Sequence, residues 1–99
     1  VSKMSRDKGV RAEREVKGRL EAVGIEVRGL EASGDHLAFG HALGTLHVES
    51  KHQERTNIFE WLKQSTTEAP AGTVPIVCFR RNRSEWFVAL RLDDFLNGK

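Results

Sequence analysis

Val74–Arg80, VPIVCFR, is the stretch that leaves the fewest folds open. It is a nearly continuous apolar run of strand length, preceded by the stop signal Pro70-Ala71-Gly72, and reads as a central strand buried on both faces. Ahead of it lies a helical pattern with Ile58, Trp61, Leu62 and Ser65 directed inward, and Asn57 and Glu60 at capping-box spacing. Ahead of that helix is another strand-like run, ending at Lys51. Strand, helix, strand in this order predicts a right-handed parallel crossover.

The remaining elements are smaller. Residues 6–23 predict an amphipathic helix, with Ala12, Val16, Leu20 and Val23 on one face, Ser5 as a partial cap and Gly24 as its stop. Ile25–Leu30 alternates like a half-buried strand, and Glu31-Ala32-Ser33-Gly34 is a turn. Glu85–Leu90 predicts a fifth strand and Leu92–Leu96 a terminal helical turn. The expected order is α-β-β-β-α-β-β-α: an α/β fold with a mixed five-stranded sheet flanked by helices. Residues 1–99 are expected to form a single domain, large enough for one modest core.

Gly34–Lys51, GDHLAFGHALGTLHVESK, carries the chemistry. Gly40 and Gly44 bracket His41-Ala42-Leu43, which predicts a hairpin with that loop at its tip. Pairing Gly40 with Gly44 brings Asp35 opposite Glu49, ~5 Å apart at Cβ. Alternation sets Glu49 and Lys51 on one face, with Val48 and Ser50 on the other. Two carboxylates this close repel one another, and a divalent cation between them removes the repulsion. On the first helix, at about 100° per residue, Glu13 falls within roughly 20° of Leu20, at the border of the apolar stripe. Glu15 faces water. Glu13, Asp35 and Glu49 are thus a hard oxygen set suited to Mg²⁺, with Mn²⁺ as a substitute, and Lys51 stands beside them. Such an ion activates water and stabilises charge on a scissile phosphate. Taken singly, each residue also has a plainer use: Glu13 pairing with an arginine, Asp35 capping the turn, Glu49 and Lys51 pairing on the surface.

Charge placement fits a polyanion. The net charge is only +2, but Lys3, Arg6, Lys8, Arg11, Arg14, Lys17 and Arg19 crowd the first helix, and Arg80, Arg81 and Arg83 a later turn. No apolar run approaches the ~20 residues of a membrane span, and no signal-peptide core opens the chain. A small-molecule substrate is not expected. Cys78 is alone in an apolar run, so there is no disulfide framework; a reduced, cytoplasmic setting is the expectation. His36, His41, His47 and His52 lack zinc-site spacing and read as loop or surface residues, except that His47 shares the face of Glu49. Phe59, Trp61, Trp86 and Phe87 read mostly as core or dimer contacts, base stacking being the other use.

Lys8-Gly9-x-x-x-Glu13-Arg14, Ser33-Gly34 before Asp35, and Glu49-Ser50-Lys51 together resemble the PD-(D/E)xK nuclease superfamily, and within it the Holliday-junction resolvases of archaea and phages. Gly34 stands where the motif has proline. The resemblance runs from about residue 6 to about residue 95, including the element order, and implies a restriction-endonuclease-like core. It implies that Glu13, Asp35 and Glu49 are the catalytic acids and metal ligands, with Lys51 the catalytic lysine. Gln64 sits where relatives often carry an active-site glutamine, and Ser33 matches a loop serine near the cleaved strand. Candidate DNA contacts are Lys8, Arg11, Arg14 and Lys17 on the helix, Ser33, and His52 and Arg55 after the lysine. Family members are homodimers that nick opposing strands of a four-way junction. The expected function is therefore metal-dependent resolution of branched DNA. The alternatives are a nicking, flap or repair-type nuclease of the same chemistry, and a non-catalytic nucleic-acid-binding module.

Overall fold

The computed structural model describes residues 3–30 and 35–98, with side chains from residue 7 onward. Its elements are α1 (Lys3–Glu21), β1 (Glu26–Gly29), β2 (His36–His41), β3 (Gly44–His52), α2 (Ile58–Glu68), β4 (Val74–Arg80), β5 (Phe87–Ala89) and α3 (Leu92–Asn97). The strands form one sheet in the order β1-β2-β3-β4-β5. Only β3 and β4 are parallel, as the crossover through α2 requires; the other neighbours are antiparallel.

The two faces of the sheet differ in kind. Leu46 and Val48 of β3 pair with Val74 and Ile76 of β4, and with Val16, Val27, Ala38 and Cys78 they form the buried apolar cluster. That cluster lies under α1, through Val16 and the half-buried Leu20. Burial pushes the Cys78 thiol up to about 12, so it is a protonated core group. On the opposite face His47, Glu49 and Lys51 alternate with these residues, and α2 lies over them. Trp61 of α2 packs on Phe79 with ring centroids 5.9 Å apart, and Phe79 packs on Phe87 at the same distance.

Several local expectations change. The first helix starts at Lys3, so position 5 lies inside it rather than ahead of it, and it ends at Glu21. Val23 therefore falls in the turn before Gly24, 74% exposed, and leaves the apolar stripe. At the second helix Asn57 contributes its carbonyl to Trp61 N–H, but its side chain makes no cap hydrogen bond; the capping box does not form. The fifth strand is shorter than its apolar pattern, and Trp86 precedes it. Phe59 is 88% exposed, which takes it out of the core of this chain.

The hairpin tip also differs. The loop is two residues, Ala42 and Leu43, with His41 paired to Gly44 and a register shift between Ala38 and His41. Gly40 and Gly44 take φ of 95° and 109°, a left-handed region open to glycine without steric cost, which allows the bulge. Beyond the bulge the pairing returns to the expected register as far as His36, which faces Val48, and Asp35 stands one residue before the strand.

Candidate active site

The site is built on the α2 side of β3, where its strand end meets the start of β2. Glu49 is only 4% exposed, and Lys51 Nζ lies 3.6 Å from its Oε1. Its other oxygen, Oε2, is buried without a hydrogen-bond partner. Burial pushes the Glu49 carboxyl above its ordinary range; Lys51 pulls it back, while Asp35 and Glu68 push it further up. Burial and then Asp35 likewise raise Glu13, which is half-buried on α1. Asp35 therefore acts on both Glu13 and Glu49. A carboxyl whose charged form is disfavoured by burial and by its neighbours is the setting that a cation relieves, and the donor set fits a divalent ion.

Residues beyond the expected set stand at the same place. His47, fully buried, holds Nε2 at 3.1 Å from Asp35 Oδ2, and its Nδ1 lies 3.0 Å from Ser65 Oγ of α2. Asp35, His47 and Glu68 present ligand atoms all within 4.8 Å of one another. Glu13 and Glu49 are not part of that closest group. His47, expected on the face of Glu49, is there as a wholly buried side chain in contact with Asp35. Glu68 was not expected at all. Trp61, Ser65 and Glu68 follow an i, i+4, i+7 spacing, which sets Glu68 on the inward stripe of α2, and that spacing is visible in the sequence. Gln64 reaches the site at one remove, donating from Nε2 to Glu68 Oε1 at 2.9 Å. Ser33 lies outside the described residues.

The basic residues border two clefts. Glu13, Arg14, Lys17, Asp35 and His36 line one of about 400 Å³. Burial and then Lys17 hold the His36 imidazole below its ordinary range, against the pull of Asp35 and Glu21. Lys8, Lys51, His52 and Glu54 line the other, of about 410 Å³. Arg11 and Arg55 are exposed. His52 is engaged within the protein, with Nε2 3.0 Å from Asn82 Oδ1 and its ring edge toward Trp86. Burial holds its imidazole below the ordinary range despite the Asn82 hydrogen bond, so it offers phosphate little charge.

Comparison with known proteins follows the same line. The profile of a family described as "Phage putative PDDEXK endonuclease" matches residues 4–99. The fold is similar to that of Archaeoglobus fulgidus Hjc, a Holliday junction resolvase from an archaeal hyperthermophile, with a TM-score of 0.63 and 24% sequence identity. The match covers 84% of this chain and 72% of that one. No curated protein sequence matches the chain.

Proposed function

The chain belongs to this family of PDDEXK endonucleases, and on that premise we propose that it is a divalent-metal-dependent endodeoxyribonuclease that resolves four-way DNA junctions by paired nicks. Residues 1–99 act as one nuclease domain, with Mg²⁺ or Mn²⁺ as the ion. The observation that carries this reading is the buried Glu49 with Lys51 paired to it, one residue beyond the Val48–His36 pair that Asp35 immediately precedes.

Asp35 and Glu49 hold the ion, with Glu13 supporting it from α1. When bound, the ion supplies Lewis acidity to the scissile phosphate and to the attacking water. Lys51, a compact ammonium two residues along the same strand face, orients that water or holds a phosphate oxygen. Gln64 acts through Glu68, and Ser33 is assigned to the cleaved strand. Lys8, Arg11, Arg14, Lys17 and Arg55 neutralise backbone phosphates on either side of the acids, and His52 contributes through its cleft position. This is recognition of branched-DNA shape and backbone, for which a chain of this size is sufficient. Two protomers cut opposing strands. The exposed apolar residues Phe87, Val88, Leu92, Phe95 and Leu96 on β5 and α3 supply a surface for the homodimer. Among the described residues no helix is long and apolar enough to cross a membrane, which agrees with action on cytoplasmic DNA.

Incubation with a labelled four-way junction and a matched linear duplex, in Mn²⁺ or in EDTA, tests the reading. Symmetric nicks in the junction alone, lost in EDTA, are expected. Equal cutting of the duplex would make the substrate that of a nicking, flap or repair nuclease. Steeply salt-dependent binding without cleavage at any metal concentration would leave only a binding module.

A further inference from the structure

We propose that Asp35, His47 and Glu68 form a divalent-cation site whose imidazole nitrogen makes it favour Mn²⁺, or another nitrogen-accepting first-row ion, over Mg²⁺. The site shares Asp35 with the nuclease centre, but the inference concerns ion binding by the free protein.

The tautomer of His47 is the first argument. Nδ1 lies 3.0 Å from Ser65 Oγ, and the carbonyl of Ile76, 3.5 Å from the same oxygen, offers the Ser65 hydroxyl proton an alternative acceptor. With an ion on Nε2 the imidazole proton sits on Nδ1, and the Ser65 oxygen is in place to accept it. Nε2, the atom aimed at Asp35, is then the lone-pair nitrogen. A neighbour that fixes one ring nitrogen as donor and bares the other is the usual support behind a metal-ligating histidine.

The second argument is what Nε2 meets. It lies 3.1 Å from Asp35 Oδ2, yet it is fully buried without an aligned hydrogen bond. In the tautomer with the proton on Nδ1, an ion between Nε2 and the Asp35 oxygen gives this buried nitrogen the partner it lacks. The third ligand atom, from Glu68, lies within 4.8 Å of both, and Gln64 holds the other part of that carboxylate. Ligands each ~2.1 Å from one ion stand at most about 4.2 Å apart, so a closure of about half an ångström completes the set. Glu68 is exposed on α2, and its side chain has the reach for that movement.

Nitrogen is the discriminating ligand. Mg²⁺ prefers an all-oxygen shell with several waters, whereas Mn²⁺ and the later first-row ions accept imidazole. This site therefore binds the two ions unequally.

The test uses the whole protein without DNA, titrated calorimetrically with MnCl₂ and with MgCl₂, and pulsed electron paramagnetic resonance of the bound Mn²⁺. A ¹⁴N coupling on Mn²⁺ in the wild type, lost in His47→Gln, is expected. Because His47 is wholly buried, two gentler variants accompany it. Glu68→Gln should weaken Mn²⁺ binding by at least ~10-fold, and Ser65→Ala, which removes only the support of the imidazole, by ~10–100-fold. Bound Mn²⁺ without nitrogen coupling, or unchanged Mn²⁺ affinity in Glu68→Gln, overturns the proposal. Junction cleavage persisting alongside that result leaves the nuclease reading intact. Nitrogen-coupled Mn²⁺ in a protein that cuts no DNA would uphold the site and sink the nuclease reading instead.

Discussion

The two faces of β3 are made from one run of sequence and do opposite work. Leu46 and Val48 point into a dry cluster beneath α1; His47, Glu49 and Lys51, alternating with them, point under α2. Both sets are withdrawn from water. On the first face withdrawal stabilises the fold, at roughly 25 cal/mol per Å² of apolar surface. On the second it raises the cost of every charge, which leaves Glu49 above its ordinary carboxyl range. The apolar face supplies the rigidity that holds the polar face in a geometry unfavourable without a ligand.

That division predicts separable mutational effects. The largest is expected from Asp35→Asn or Glu49→Gln: cleavage should fall by at least ~10²–10³-fold, the scale for losing one group that stabilises developing charge. Junction binding in a gel-shift assay should be nearly unchanged. Mg²⁺-dependent cleavage surviving in either variant would remove the site from this face.

Leu46→Ala strikes the other face. It should cost ~2–5 kcal/mol in urea unfolding while the turnover of the remaining folded protein holds. A large loss of turnover in folded protein would show that the faces are not separable.

A subtler effect concerns pH. A carboxyl whose folded value is raised above its unfolded one binds protons more tightly in the folded state, so stability falls as pH rises from about 4.5 through the raised folded value. Metal-free protein should lose melting temperature over that window, and Glu49→Gln should flatten the slope and melt higher near neutrality. Identical slopes with and without Glu49, measured in EDTA, would contradict the strain assigned to it. The smallest effect is expected at the rim. Arg80 Nη1 stands 3.6 Å from the half-exposed Glu15 Oε1, and Arg80→Ala should cost no more than ~1 kcal/mol.

How much of this the sequence carried follows the same division. VPIVCFR gave its strand residue for residue, because a doubly buried strand leaves no freedom in pattern or length. Glu49 and Lys51 were legible because alternation is strict, and Asp35 because glycines marked the hairpin. The two-residue tip was not legible: the three residues between Gly40 and Gly44 suit either a symmetric loop or a bulge, and only backbone angles separate them. Val23 was misjudged because periodicity runs on past the helix end, whereas the i→i−4 hydrogen bonding stops at Ala22. Glu68 was hidden for a different reason, as was its meeting with His47. Their meeting depends on how α2 settles across the sheet, a tertiary event with no short-range mark beyond the inward spacing of Trp61, Ser65 and Glu68.

The bulge at Gly40 has an effect far from where it sits. By taking up the odd residue at the hairpin's end, it uncouples the length of the tip from the alignment of Asp35 with Glu49. Lengthening or trimming at Ala42-Leu43 can therefore change how far this finger extends past the sheet without sliding one carboxylate along the other. In a cutting enzyme that is a separation of reach from reactivity: the tip is free to vary with the shape it must embrace while the blade keeps its edge.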